Sequence, residues 1–403
     1  MSLFRFLVGN ARWLAAGALL TFLSSFGQTF FISIFSGEIR EGFNLSHGQW
    51  GGIYTLGTSA SAVAMIWAGA LTDLFRTRLI GSVVLVLLAC ACLFMAINTW
   101  AAVLPFVIFA LRFSGQGMAS HVAVVSMSRW FMATRGKALS IAGLGFALGE
   151  AVLPVSFVSL MLLINWRWLW VAAAVASLAA IPVLMLLLSQ ERTPQSHAET
   201  DHSVGMANRH WTRPEVIKHW LFWFMVPALL GPSAFNTAFF FQQVHFAEVK
   251  GWAHLDLVVM FPLYTGASVC MMLLSGGLLD RLGTPKLIPW SQLPMVAGFL
   301  CFAMAQSMGW ALLGLLFLAM TTGATATLPN AFWAEFYGTR RLGSIKAMAA
   351  AVMVLGSALG PGITGLLIDF GVGIETQYIG VALYFLLTTA MMWVGVSRAK
   401  AFL

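Results

Sequence analysis

GALTDLFRTR, residues 69–78, returns later in the chain as GGLLDRLGTPK, residues 276–286. Both copies follow a long apolar run, and both set an aspartate among glycines and arginines. The repetition extends beyond this loop. SSFGQTFF (24–31) is matched by SAFNTAFF (233–240), and LGFALGEAVLP (144–154) by LGSALGPG (355–362). Asp73 and Asp280 stand 207 residues apart, and Gln28 and Asn236 stand 208 apart. A chain that repeats itself once at this spacing is built from two halves of parallel topology, an arrangement found in membrane transporters.

Composition says what kind of chain is being repeated. Of 403 residues, 60% are hydrophobic and 9% are charged, against roughly 25% charged in an average globular chain. Mean hydropathy is +0.86. Apolar runs of about 20 residues, long enough to cross a hydrocarbon core, recur from end to end. The breaks between them predict spans near 13–36, 50–71, 79–97, 100–128, 137–162, 167–189, 219–245, 255–279, 287–307, 309–333, 345–368 and 378–397. The expected fold is an all-α membrane protein with twelve transmembrane helices in two pseudo-symmetric six-helix bundles, residues 1–189 and 219–403. Residues 190–218 contain SHAETDHS and lack apolar periodicity, so they are expected to be a cytoplasmic linker. The first apolar run has no small-residue cleavage site behind a short core, and is taken as a first span rather than a signal peptide.

The formal net charge of +8 would suggest nucleic acid on a soluble chain. Placed on the spans, the charges say otherwise. Eighteen Lys and Arg residues fall on one side. Arg40, Arg167 and Lys250 fall on the other, and Arg112 lies within a span. Basic loops stay on the cytoplasmic side of a membrane. Both termini are therefore expected in the cytoplasm, in a multi-pass inner (plasma) membrane, with no nucleic-acid partner. The four cysteines fall in apolar runs and form neither a disulfide framework nor a metal-ligand cluster. There is no G-x-x-x-x-G-K-[ST] loop for ATP, and no nucleophile–base pair. No enzyme activity, cofactor or metal is expected. The expected partners are a small-molecule substrate, protons and the lipid bilayer, and the chain is expected to act as a monomer.

The two loops resemble the signature G-x-L-x-D-R-x-G-R/K-R/K of the major facilitator superfamily. The later copy matches at Gly276, Leu278, Asp280, Arg281, Gly283 and Lys286. The earlier copy keeps Gly69, Leu71 and Asp73, with Leu74 for the usual arginine and Arg76 for the usual glycine. RFSGQG from Arg112 resembles the fourth-span signature. RWFMATRGKALSIAGLGFALGEAVLP (129–154) and YGTRRLGSIKA (337–347) are similar to monocarboxylate and oxalate–formate porters. The resemblance implies alternating access, with the first, fourth, seventh and tenth spans lining a central cavity. A carboxylate at a helix end can cap it and pair with arginine. Gly69, Asp73, Arg76, Gly276, Asp280, Arg281 and Gly283 are thus expected to form a gating motif.

Three ionisable side chains fall well inside the spans: Arg112, His121 and Glu150. Such groups are costly in a bilayer and default to a functional reading. All three belong to the first half. Where the second half has G-x-x-x-G-P (Gly356, Gly360, Pro361), the first has Gly145, Gly149 and Glu150, and Arg112 aligns with Met320. Glu150 is read as the proton-coupling carboxylate, tuned by desolvation and by Arg112 or His121. The alternative is a buried Glu150–Arg112 pair that joins two helices. On a straight helix Arg112 and His121 point about 180° apart, so presenting both to one site requires a bend at Gly115 or Gly117. Gln28 with Thr29, and Asn236 with Thr237, are repeat-related polar pairs. They suit a small polar substrate, or serve as glue between helices.

The function expected from these residues is a proton-coupled secondary transporter for a small, monocarboxylate-like organic anion. Its substrate-binding set is Gln28, Thr29, Arg112, His121, Asn236 and Thr237. The competing expectation is a proton-driven efflux antiporter for lipophilic or cationic compounds, with Glu150 attracting the cation. A non-transporting receptor on the same scaffold is a third.

Overall fold

The computed structural model describes residues 3–131, 134–190 and 204–403. Linker residues 191–203 and the side chains of Asp73, Arg135 and Asp280 lie outside the described residues. The described chain is helical, with one isolated bridge between Gly205 and Arg209. In chain order the main helices are α1 (Leu3–Leu23), α2 (His47–Ala68), α3 (Thr77–Ile97), α4 (Ala101–Trp130), α5 (Arg135–Met161) and α6 (Trp166–Leu187). They continue as α7 (Trp220–Phe241), α8 (Phe261–Leu282), α9 (Leu293–Ala303), α10 (Met308–Tyr337), α11 (Leu342–Asp369) and α12 (Ile374–Ala399).

Among the described residues, 10 helices are long and apolar enough to cross a membrane. The other two of the twelve expected spans fall short for different reasons. α2 has 22 residues but is diluted by glycine and hydroxyl side chains, and α9 is only 11 residues long. The first span also departs from expectation. Its helix starts at Leu3 and stops at Leu23, and a short turn follows where an unbroken helix was expected.

By its internal contacts the chain divides into two units. Unit 1 is Met1–Ser46 with Gly52–Glu199, and unit 2 is His47–Gly51 with Thr200–Leu403. In unit 1, α1 lies along α5 and α3 along α6. In unit 2, α7 lies along α11 and α9 along α12. The sequence repeat is thus a repeat of packing. Gly145 and Gly149 of α5 sit against the backbone and hydroxyls of α1, with no room for a Cβ beside Ala18 O or Ser25 Oγ. Gly356 and Gly360 of α11 do the same against α7, where a Cβ on Gly356 would lie 2.6 Å from Leu230 O. Lipid tails are as apolar as leucine, so close backbone approach is what holds such helices together.

Residues 204–218 are more than a polar connection. Met206, Trp211 and Val216 are buried in one core with Phe222, Trp333 and Tyr337 of unit 2. Trp211 N–H donates to Tyr337 O at 3.2 Å, and its indole Nε1–H donates to Met206 O at 3.1 Å. A capping box of Thr212 and Glu215 starts the short helix Arg213–Lys218. The anchor is one tryptophan in a polar stretch, which leaves no periodic signal.

Candidate functional site

α1 breaks where the sequence reads SSFGQ. Ser24 Oγ–H donates to Thr21 O at 2.6 Å, and Thr21 Oγ1–H reaches Ala18 O at 3.0 Å and Ala142 O at 2.5 Å. Hydroxyls that bond back to carbonyls compete with the helix ladder. Ser24–Gly27 winds into a tight turn, and Gln28 is extended (φ −86°, ψ 155°). The helix restarts at Thr29–Ile32, with Gln28 O accepting from Ile32 N–H at 3.0 Å.

Against this break, α4 leaves ordinary α winding: Arg112–Ala119 is a π-helix. The expected bend at Gly115 and Gly117 is therefore a change of winding. It brings backbone onto backbone, since a Cβ on Gly115 would lie 2.6 Å from Gly27 Cα. π segments are frequent at functional sites, and discontinuous helices form the ion and substrate sites of many transporters.

Arg112 opens the π segment and is 1% exposed. Its Nη1–H donates to Gly27 O and to Thr29 Oγ1, each at 3.2 Å. Tyr54 of α2 completes the cluster. Its hydroxyl is 2.5 Å from Thr29 Oγ1, and its ring centroid is 5.3 Å from Arg112 Cζ. Arg112 Nε is buried without a hydrogen-bond partner. The recorded partners are a carbonyl, a hydroxyl and a ring face. They orient the cation without neutralising it, and a buried charge is stable only when paired.

Unit 2 holds the related constellation. Asn236 Nδ2–H donates to Tyr264 OH at 3.5 Å, and Tyr264 OH donates to Thr322 Oγ1 at 3.2 Å. Asn236 Oδ1 is buried without a partner. Thr322 of α10 thus meets Tyr264 of α8, while Met320, which aligns with Arg112 in sequence, is 38% exposed. Sequence reasoning missed both tyrosines. A signal was available: the chain has only 5 tyrosines, and Tyr54 and Tyr264 sit 210 residues apart.

The remaining sequence-predicted residues are dispersed. Gln28 is buried at the α1 break, and Thr237 is half-buried beside Asn236. His121 is not brought to Arg112. Its Nε2 lies 3.2 Å from Gly69 O, which also accepts from Thr72 Oγ1–H at 2.8 Å. Arg129 Nη1–H donates to Thr72 O at 2.7 Å, so two α4 side chains hold the first motif loop by its carbonyls. Glu150 is half-buried on α5, next to the Gly149 that touches α1. Arg76 and Arg281 are exposed, Gly276 faces open space, and Gly283 ends α8 with φ +75°. That φ suits a residue without Cβ. Among the described residues, no cluster of three His, Cys, Asp or Glu has metal-binding geometry.

Repeated membrane bundles, a broken helix against a π-wound one, and an intramembrane cation are the features of a secondary transporter. The chain belongs to the Major Facilitator Superfamily, whose family model matches residues 17–361 and 263–401. It is similar in fold to a bacterial homolog of the human lysosomal transporter Spinster, solved inward-facing and unoccupied, with a TM-score of 0.72 and 14% identity over 98% of this chain and 97% of that one. It is likewise similar to the nucleoside transporter NupG, with a TM-score of 0.71 and 13% identity over 95% of this chain and 98% of that one. A Thermoproteus tenax protein, described as "Uncharacterized 38 kDa protein in 23S RNA operon", is 25% identical over 309 residues, 76% of each chain. At such identities the solved structures share the fold. The chain is a multi-pass membrane transporter of a small molecule, working by alternating access, and not an enzyme.

Proposed function

We propose that the chain moves a small, monocarboxylate-like organic anion in symport with protons, as in the monocarboxylate and oxalate–formate branch. The observation that carries this reading is the Arg112 guanidinium: buried, and oriented among the described residues by the uncharged Gly27 O, Thr29 Oγ1 and Tyr54 ring. A substrate carboxylate supplies the missing counter-charge. Charge-assisted hydrogen bonds from guanidinium to carboxylate are among the strongest available in a protein. Gln28 and Thr29 sit at the break where the substrate meets α1, and Glu150 carries the proton one helix away. The asymmetry of eighteen basic residues against three supports cytoplasmic termini in an inner membrane.

The test is uptake of radiolabelled small monocarboxylates into proteoliposomes under an inward proton gradient. Wild type should accumulate the anion, and Arg112→Ala should lose accumulation while remaining folded in the bilayer. Transport of lipophilic cations instead, indifferent to Arg112→Ala, would establish the antiporter reading.

A further inference from the structure

One surface of unit 2 is unused by this transport reading. It lies at the end where α7 starts and α10 stops, the end expected to face the cytoplasm. Arg209, Arg213, Lys218, Arg340 and Arg341 gather there around the joint between Trp211 and Tyr337. Two links fix their neighbourhood. Arg209 Nη1 pairs with Glu215 Oε1 at 3.7 Å. The Glu215 carboxyl is held below its usual range by hydrogen bonds from Thr212, then by Arg209 and Arg341.

Keeping loops in the cytoplasm requires only that charges be present on that side. These charges are also held in place. Arg209 Cζ lies 3.9 Å over the Trp211 ring, and Trp211 is pinned to Tyr337 O and Met206 O. The capping box fixes Arg213 and Lys218 on their short helix. Among the described residues, Glu215 is the acid set among these cations, and Glu335 stands exposed in the last turn of α10. Exposed aromatic and aliphatic side chains adjoin them: Ile217 at 37%, Trp220 at 38% and Trp223 at 56%, with Trp223 Nε1–H donating to Ile217 O at 2.8 Å. Exposed tryptophans mark the headgroup level of a bilayer, and a basic cluster at that level complements anionic lipid.

We infer that this surface is a seat for the phosphate diester headgroup of an anionic phospholipid, with Arg209 and Arg341 as its main contacts and Trp220 and Trp223 against the upper acyl chain. A ligand bound by the folded state alone raises its apparent stability. The experiment is thermal unfolding of the full chain in neutral detergent, titrated with phosphatidylglycerol, with phosphatidylcholine, or with inorganic phosphate. Phosphatidylglycerol should raise the midpoint by several degrees, less so at high salt. The other two additives should leave it nearly unchanged. The rise should disappear in Arg209→Gln/Arg341→Gln, and should shrink in Arg213→Gln/Lys218→Gln, whose side chains are exposed and cost little fold stability. An equal rise with phosphatidylcholine, or an undiminished one in both double variants, overturns the assignment. An equal rise with inorganic phosphate shows that the site takes free phosphate and not lipid.

Discussion

Tyr54 ties Arg112 to the break in α1: its hydroxyl is 2.5 Å from Thr29 Oγ1, and its ring is 5.3 Å from Arg112 Cζ. Its repeat partner Tyr264 links Asn236 to Thr322 by hydrogen bonds of 3.5 and 3.2 Å. The two units share a tyrosine-centred polar node, but only unit 1 puts a cation in it.

Substitutions at Tyr54 should therefore be graded. Tyr54→Phe keeps the ring over Arg112 and removes one hydrogen bond, about 0.5–1.5 kcal/mol, so apparent affinity for the transported anion should fall by about 2–10-fold. Tyr54→Leu also removes the cation–π contact, worth about 2 kcal/mol when desolvated, and should lose substantially more. Uptake KM in proteoliposomes reads both. Equal effects would mean that the ring does not hold the guanidinium.

The Gly27–Gly115 contact should be intolerant of a methyl group. Gly115→Ala forces a Cβ against Gly27 Cα and N, 2.6 and 2.7 Å away, and overpacking of this kind costs about 1–3 kcal/mol. Gly143→Ala is the control, because nothing lies within 4 Å of its Cβ position. In a helix it should be neutral or mildly stabilising. Thermal midpoints in detergent should separate the two variants by several degrees, and equal midpoints would show that the backbones have room to part.

Each signal in the sequence was legible only for the physical property that produces it. Hydropathy located the spans because burial in lipid demands long apolar runs, yet it missed the shortness of α9 and the break in α1. Both depend on backbone choices, and the break is made by Ser24, Gly27 and Gln28, each unremarkable alone. Arg112 stood out because a charge inside a span is costly. Its partners did not, since Tyr54 lies 58 positions away in sequence and only folding brings the two together. His121 was legible as an intramembrane imidazole, but its neighbour, the Gly69 carbonyl 3.2 Å from Nε2, was not, because 52 residues separate them in sequence.

Glu150→Gln provides the test of coupling. The amide resembles the protonated carboxyl in shape and charge but cannot release a proton. Under the symport proposal, gradient-driven accumulation should be lost, while anion exchange across the membrane at equal pH continues. Measuring both modes on one preparation separates coupling from folding. If the variant still accumulates anion with wild-type dependence on the proton gradient, Glu150 is a packing residue and the coupling group lies elsewhere.

His219, the residue before α7, should make the fold sensitive to acid. Burial, and then nearby Arg209, pull its pKa below the usual imidazole value. The unfolded chain therefore takes up a proton near pH 6.5, while the folded chain resists until a lower pH. Between those values the unfolded state binds more protons, so stability rises with pH. The contribution is intact above about pH 6.5 and is lost progressively as pH falls through the folded value. His219 Nδ1 lies 3.3 Å from Tyr337 OH, and His219→Gln keeps a polar partner for that hydroxyl without a titrating ring. Thermal midpoints from pH 8 down to pH 5 should fall more steeply in wild type than in the variant. Parallel profiles would mean that the imidazole titrates alike in both states and that the Trp211–Tyr337 joint is insensitive to its charge.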